Sequence, residues 1–288
     1  MIAERDGFYR PFFSVRSGDE GETMRLCSIA SGSSGNCIYI GEKNTHVLVD
    51  VGISAKRIEA GLAEIGVKPG EINAIFITHE HSDHIQGLWA FGKKNNIPVY
   101  ATKHTLDAYL GAKKQPELFE KRLFTVSYDE EIAVGDLTVH PFCISHDASC
   151  PVCYTFSGQG GKIGMATDLG CYDSYTERAL ADCGLLYLES NHDENMLLVG
   201  GYPYALKQRI LGSKGHLSNE AAAELAGKLL HGQLKYIVLG HLSRENNYPE
   251  LAYETMRQKI LSAWKYPLPQ PEILVANREK PSAMLYLS

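Results

Sequence analysis

Four side chains that can bind metal ions are crowded into one six-residue segment of the sequence. The segment reads His79-Glu80-His81-Ser82-Asp83-His84 and follows the apolar run 75–77 after Thr78. Placing three imidazoles and a carboxylate together at the end of a buried strand is costly unless a cation compensates them. Imidazole and carboxylate groups are common ligands of zinc, manganese and iron. The segment therefore predicts a metal site, with a plain surface cluster of histidines as the alternative.

Three further candidate ligands each follow a strand-like run later in the chain, namely His146, Asp168 and His241. Each of them alone would be an ordinary polar loop residue. Behind the histidine-rich segment they predict two adjacent metal sites that share a carboxylate. Two ions roughly 3.5 to 4 Å apart lower the pKa of a bridging water from ~15.7 toward ~7 and produce hydroxide at neutral pH. Because the same ions neutralise charge on a phosphate oxygen, we expect attack of this hydroxide on a phosphodiester.

The composition excludes several classes of protein. The 288 residues are 44% hydrophobic and 22% charged, which is typical of an ordinary globular core. The formal net charge of −6 argues against coating nucleic acid through bulk charge, although it allows a local basic groove. No apolar stretch of about 18 residues occurs, so we expect no membrane partner. The seven scattered cysteines indicate reduced thiols and a cytoplasmic location.

Short strand-like runs alternate with helical patterns from Met24 onward. The strand-like runs are 26–30, 37–41, 46–49, 74–77, 99–102, 137–143, 152–156, 163–166, 185–188 and 236–239. Helical spacing occurs over 54–65, 86–95, 218–230 and 249–264, with Ser218 or Asn219 suited to capping the third helix. Sheets with helices outside them are the expected result. Residues 1–23 lack a sustained period, and we expect a poorly ordered extension before one catalytic domain spanning 24–288.

The order of these residues resembles that of the metallo-β-lactamase-fold hydrolases. The histidine-rich segment, the later His, Asp and His, and Asp50 after an early strand occur in the order expected for that superfamily. Within it, the phrases 28–37, 188–193 and 215–219 resemble the YycJ/WalJ group. The resemblance covers about residues 24–288 and implies an α/β fold, a four-layer αββα sandwich. It also implies a DNA exonuclease of 5′-3′ polarity with a role in DNA repair, so DNA is the expected partner, and a homodimer stays open.

The resemblance assigns the ligands to two ions. One ion would be held by His79, His81 and His146, the other by Asp83, His84 and His241, with Asp168 bridging. This nitrogen and oxygen set suits zinc or manganese and also allows iron. Asp50 would orient the histidine-rich segment through hydrogen bonds, whereas a plain turn residue is the alternative.

Two residues are the candidates for catalysis, Asp83 and His216. His216 lies in a Gly-His-Leu-Ser phrase, is not needed as a ligand, and occupies the place where related phosphodiesterases carry a histidine near the leaving group. It would donate a proton to the leaving oxygen. A buried structural histidine is the alternative. Glu189 and His192, at the end of a predicted strand, would orient His216, line the cleft or simply pack.

A basic stretch flanks His216. No acidic residue lies between Glu194 and Glu220, whereas three cations do. The candidate substrate contacts are Lys207, Arg209, Lys214, Arg244, His192, Ser33 and Asn36. The cations would bind backbone phosphates, with a solvated face as the alternative. The small residues of the loop 31–36 would bring backbone N–H groups close to a phosphate, with a tight hairpin as the alternative.

Two other functions stay open from the sequence. The first is a metal-dependent hydrolase of a small-molecule ester, thioester or lactam on the same scaffold. The second is a regulatory protein that keeps a metal without turnover. Redox chemistry by Cys150 and Cys153 is disfavoured, because the segment leads into a strand and offers no helix N-terminus to lower a thiol pKa.

Overall fold

The structure is a computed structural model that describes residues 23–112 and 120–288. The predicted N-terminal extension therefore lies outside the described residues, apart from Thr23. The described strands are β1 (Met24–Ala30), β2 (Cys37–Glu42), β3 (Thr45–Val49), β4 (Ala74–Phe76), β5 (Val99–Thr102), β6 (Leu123–Val126), β7 (Ile132–Val134), β8 (Leu137–Cys143), β9 (Val152–Gly158), β10 (Gly161–Ala166), β11 (Leu185–Glu189), β12 (Tyr236–Gly240), β13 (Glu272–Val275) and β14 (Leu285–Leu287).

Helices lie between many of these strands. The described α-helices are α1 (Ala55–Glu64), α2 (Ser82–Ile85), α3 (Leu88–Asn95), α4 (Lys103–Gly111), α5 (Ser174–Leu180), α6 (Glu194–Val199), α7 (Tyr204–Leu211), α8 (Asn219–Lys228) and α9 (Pro249–Ala263). Short 3₁₀ helices cover Pro69–Glu71 and Glu120–Arg122. Within the described part of the chain, no helix is long and apolar enough to cross a bilayer.

The described strands form two mixed sheets of seven strands each. The first sheet has the order β14-β1-β2-β3-β4-β5-β6, and the second has the order β13-β12-β11-β10-β9-β8-β7. Strands β3 to β6 of the first sheet are parallel, as are β10 to β13 of the second. Parallel strands bring their carboxyl ends to one edge of a sheet. Residues that directly follow these strands are therefore placed near one another.

Three apolar clusters separate four layers. Between the sheets, Phe76 packs edge-on against Phe156 with ring centroids 5.7 Å apart. A second cluster, including Ile58, joins the outer face of the first sheet to α1, α3 and α4. A third, including Leu225, joins the outer face of the second sheet to α5, α8 and α9. This arrangement confirms the predicted four-layer αββα sandwich.

The predicted elements are confirmed within two residues of their ends. Ser218 caps α8 as expected, since its hydroxyl accepts the Ala221 N–H at 3.2 Å, and Pro249 occupies the first turn of α9. Strands β6, β7, β13 and β14 and helices α2 and α4 to α7 were not predicted. All of them are three to nine residues long, too short for a period to stand out.

Candidate metal centre and active site

The candidate site lies where the carboxyl ends of strands from both sheets meet. Asp50 follows β3, Asp168 lies two residues beyond β10, and His241 follows β12. These three residues have positive φ angles of 56°, 59° and 55°. A left-handed backbone is uncommon outside glycine and is most accessible to Asn, Asp and His, so these strand-end turns are costly conformations kept by their surroundings.

A first cluster is formed by His79, His81 and His146, whose ligand nitrogens lie within 4.8 Å of one another. His79 Nε2 is 3.0 Å from His81 Nδ1. His146 Nδ1 donates to the carbonyl oxygen of Gly215 at 3.1 Å, which leaves Nε2 as the unprotonated nitrogen. That Nε2 is buried without a hydrogen-bond partner among the described residues. Three imidazole nitrogens therefore lie close enough together to bind one cation.

A second cluster is formed by Asp83, His84 and His241 within the same distance limit. His84 Nδ1 donates to Asp50 Oδ2 at 2.8 Å, and His241 Nδ1 donates to Glu189 Oε1 at 2.8 Å. Because carboxylates only accept, Nδ1 carries a proton in both histidines, and their Nε2 atoms face the cluster. These atoms lie 3.5 and 3.6 Å from Asp83 Oδ2. Asp50 thus makes a hydrogen bond to the histidine-rich segment, as the resemblance implied.

Asp168 lies between the two clusters. Its Oδ2 is 3.3 Å from His84 Nε2, and its Oδ1 is 3.7 Å from His146 Nε2 and 3.4 Å from His241 Nδ1, so the carboxylate borders both clusters. Asp168 Oδ2 and His241 Nε2 are also buried without hydrogen-bond partners among the described residues. Buried polar atoms of this kind are costly unless a ligand satisfies them. The donor set therefore fits divalent metal ions.

The electrostatics of the second cluster favour positive charge, whereas His79 and His146 of the first cluster resist protonation. Burial lowers the pKa of His79 well below its usual value, and the neighbouring His84 adds to this effect. Burial also opposes protonation of His84, but the carboxylates of Asp50 and Asp168 raise its pKa well above the usual value. In the same way, burial is outweighed at His241, whose pKa is raised to about 10 by Asp168 and other carboxylates. Divalent cations supply the positive charge that these carboxylates attract, as protons would.

Glu189 connects the second cluster to His216. It is fully buried, and its Oε1 accepts from His216 Nδ1 at 2.7 Å as well as from His241 Nδ1. Its Oε2 accepts the backbone N–H groups of Leu169 at 2.9 Å and Leu217 at 3.1 Å. Burial opposes ionisation, but the facing His216 charge keeps the pKa of Glu189 well below its usual range. The sequence left this role open; its signal was a carboxylate ending an otherwise apolar strand.

His216 borders both clusters without belonging to the two histidine groups. Its ring centroid lies 5.3 Å from those of His146 and His241. Its side chain is 18% exposed, whereas that of His241 is 2% exposed. Burial opposes protonation, but Glu189 raises the pKa of His216. His216 is therefore a partly accessible imidazole that retains a proton more readily than an ordinary histidine.

The basic residues near His216 are placed in different ways. Arg209 forms an ion pair with Asp147, whose carboxylate also lies 3.4 Å from His146 Nε2. Lys207 donates to the Leu198 carbonyl at 2.7 Å. The backbone carbonyl of Lys214 accepts the Asp147 N–H at 3.1 Å. Sequence reasoning missed Asp147, although it directly follows a predicted ligand. Arg244 is separate from this group and lines a cavity near His241.

The loop 31–36 joins the antiparallel strands β1 and β2, so it is a hairpin connection. Ser33 is exposed at this loop. Asn36 is 2% exposed and donates from Nδ2 to His84 Nε2 at 3.2 Å. His192 is 1% exposed. Direct contact of substrate with Asn36 or His192 therefore requires movement of the surrounding loops.

The two cysteines considered for redox chemistry contact different partners. Cys150 lies 2.7 Å from the Tyr128 hydroxyl. Cys153 is buried, and its Sγ accepts the Thr167 N–H at 3.4 Å. Burial raises the pKa of Cys153 well above its usual value, which disfavours the reactive thiolate.

The comparisons with known proteins agree with this geometry. The exodeoxyribonuclease WalJ of Streptococcus pneumoniae is 38% identical over 235 residues, covering 82% of this chain and 87% of that protein. The exodeoxyribonuclease YycJ of Bacillus anthracis is 36% identical over 237 residues, covering 82% and 89%. The metallo-beta-lactamase fold protein YhfI of Bacillus subtilis superposes with a TM-score of 0.66 at 14% identity, covering 92% and 100%. The family model described as the metallo-beta-lactamase superfamily matches residues 30–180. The chain belongs to the metallo-β-lactamase superfamily.

Proposed function

We propose that this protein is a metal-dependent phosphodiesterase that removes nucleotides from the end of DNA. The observation that carries the proposal is the pair of ligand clusters on either side of Asp168, with His216 held beside both of them. The proposal is supported by the WalJ and YycJ relatives, which are named exodeoxyribonucleases and match most of the chain.

We infer two divalent ions at this centre. The ligands would be His79, His81 and His146 for one ion, Asp83, His84 and His241 for the other, and Asp168 for both. The set contains only nitrogen and oxygen, which suits zinc or manganese and allows iron. Ions bound there supply a water of lowered pKa and neutralise charge on a phosphate oxygen.

His216 is the proposed proton donor to the leaving oxygen. Glu189 holds the Nδ1 proton, so Nε2 of the protonated ring carries the proton that can be transferred. Glu189 raises the pKa of His216 and so favours this cationic form. Asp83 is the second proposed catalytic residue, because its carboxylate is 23% exposed and so can face a bound substrate.

The test uses His216→Ala, with His104→Ala as the matched control at an exposed site on α4. We expect His216→Ala to lower turnover of a 5′-labelled DNA duplex by about 10²-fold or more, the size of a lost proton transfer, and to affect bis-para-nitrophenyl phosphate much less, because nitrophenolate leaves without needing a proton. Metal content, measured by elemental analysis, should equal that of the wild type. Turnover equal to that of His104→Ala would remove His216 from the mechanism.

The same assay separates the alternatives. Hydrolysis of nitrocefin or of a glutathione thioester in place of DNA would indicate the small-molecule hydrolase, and metal binding without any turnover would indicate the regulatory protein. The 5′-3′ polarity, a role in DNA repair, a cytoplasmic location and a homodimer stay predictions.

A further inference from the structure

A cavity of about 480 Å³ lies beside the metal centre, and residues following β12 and β13 line it. Its lining includes Ser31 and the segment 242–244, which directly follows His241. Ser31 Oγ accepts the His241 N–H at 2.8 Å. The cavity and the second metal cluster therefore share one backbone segment, and a ligand in one lies next to the other. Its volume falls within the range of roughly 300 to 1,000 Å³ found for small-ligand sites.

The charge of the lining is positive. Arg244, Arg278 and Lys280 line the cavity, against the single carboxylate of Glu279, which leaves an excess of two positive charges among the lining residues. Within residues 23–112 and 120–288, none of these three cations forms an ion pair with a carboxylate within 4.0 Å. Two arginines close together repel each other unless an anion lies between them. The lining therefore favours an anion.

Arg278 is held in a fixed position. Its Nη2 donates to the Leu242 carbonyl at 2.6 Å, and its guanidinium lies against Gly32. A Cβ atom on Gly32 would lie 2.6 Å from Arg278 Nη1, and the φ angle of Gly32 is +127°. Glycine is therefore needed for this close approach and for this backbone conformation. Arginine presents several N–H donors in a planar fork that matches phosphate oxygens.

An aromatic ring lies at the edge of the same cavity. Tyr248 is 61% exposed and lines the cavity together with Pro249, the first residue of α9. Exposed aromatic rings beside a basic groove are the surfaces on which proteins stack the bases of single strands. One nucleotide offers both groups, a phosphate for the arginines and a base for the ring.

We propose that this cavity binds a phosphate group of the nucleic-acid strand through Arg244, Arg278 and Lys280, with the adjacent base stacked on Tyr248. The inference rests on the proposed function, since it concerns the same substrate. The phosphate has two sources with the same chemistry, the terminal phosphate of the strand and an internal phosphate of its backbone.

The experiment measures binding of a short single strand with a 3′ fluorophore and phosphorothioate linkages, which resist cleavage, by fluorescence anisotropy over a series of salt concentrations. The variants are Arg244→Ala and Lys280→Ala, because Arg278 also supports the Leu242 backbone. The matched control is Lys265→Ala, an exposed cation just beyond the far end of α9. That end lies about 22 Å from Pro249 at 1.5 Å per residue.

We expect Arg244→Ala and Lys280→Ala each to weaken binding about five- to tenfold and to reduce the slope of log affinity against log salt by about 0.7, the value for one lost single-strand phosphate contact. Tyr248→Ala should weaken binding about tenfold, and Tyr248→Phe should restore it because the ring is retained. If the wild type binds 5′-hydroxyl and 5′-phosphate strands with different affinities and Arg244→Ala does not, the terminal phosphate is the ligand. An equal loss for both strands assigns a backbone phosphate.

The inference is overturned if both cation variants match Lys265→Ala in affinity and salt slope, or if Tyr248→Phe binds as weakly as Tyr248→Ala. Failure of the proposed function gives a different result. In that case the wild type with added metal hydrolyses neither bis-para-nitrophenyl phosphate nor DNA, whereas the strand-binding measurement still reports on the cavity.

Discussion

Replacing Glu189 by Gln tests the hydrogen-bond network that positions the active site. The carboxylate accepts four N–H groups, two from imidazoles at Oε1 and two from the backbone at Oε2. Glutamine keeps only one oxygen, and its NH₂ group must face two N–H donors whichever way the amide turns. Each orientation of the amide therefore predicts a different measurable loss.

If the amide oxygen faces His216 and His241, the NH₂ group faces the Leu169 and Leu217 N–H groups. Two buried donors then lose their acceptor, at about 1 to 3 kcal/mol each, so the free energy of unfolding should fall by about 2 to 6 kcal/mol. At roughly 2 to 4 °C per kcal/mol, Tm falls by about 4 to 24 °C. If the amide is reversed, His241 must move its proton to Nε2 to accept a hydrogen bond, and metal affinity should fall about 10- to 100-fold.

The assay combines thermal unfolding in a chelator with titration by zinc and manganese. Glu42→Gln is the matched control, since Glu42 is also fully buried and its Oε1 accepts the Gln159 and Gly160 N–H groups. Its Oε2 has no hydrogen-bond partner among the described residues, so an NH₂ group there meets no donor. A Glu189→Gln protein with the Tm and the metal affinity of Glu42→Gln would refute the positioning role.

Three further changes test the site and its supports. Gly52→Ala should lower the free energy of unfolding by more than about 2 kcal/mol and weaken metal binding, since its Cβ would lie 1.6 Å from the Asp83 carbonyl oxygen. The control is Gly70→Ala, which has open space around its Cβ and should change neither quantity in the same urea and metal titrations. Asp50→Ala should weaken metal binding about 10- to 100-fold by freeing His84, and unchanged affinity would contradict this. Burial lowers the pKa of His192 from 6.5 to about 4, so the neutral buried ring supports the folded state above pH 6.5 and this stability is lost as the pH falls. Between pH 7 and pH 5 the free energy of unfolding of the wild type, measured in urea, should fall by about 2 kcal/mol more than that of His192→Gln. Equal losses would argue against this burial effect.

The ligand residues could be predicted because their signal is local. The spacing from His79 to His84 lies in one loop after an apolar run, and the chemistry of imidazole and carboxylate groups indicates metal binding without knowledge of the fold. His146, Asp168 and His241 were predicted from the strands before them, since a strand end is visible as the end of an apolar run. These assignments of ligands and of substrate contacts stay predictions until metal and substrate are measured.

The edges of the sheets could not be predicted. Strand β14 pairs with β1, for example Leu285 with Leu26, and no local pattern reveals a partner that lies about 260 residues away. Such pairing depends on the register of the whole sheet, and a three-residue strand carries too few residues to show a period. The cavity could not be predicted either, because Arg244 and Arg278 lie 34 residues apart and follow different strands.

The sequence by itself determined the kinds of atoms available for catalysis and the order of the apolar strands that carry them. Only the tertiary structure decided which atoms face one another: that Asp168 lies between two clusters, that Glu189 bonds His216 and His241, and that two arginines meet beside His241. The physical reason is the range of the interactions. Residue type and hydrophobic period act within a few positions of the chain, whereas a hydrogen bond of 2.7 Å between residues 27 positions apart depends on how complete sheets pack.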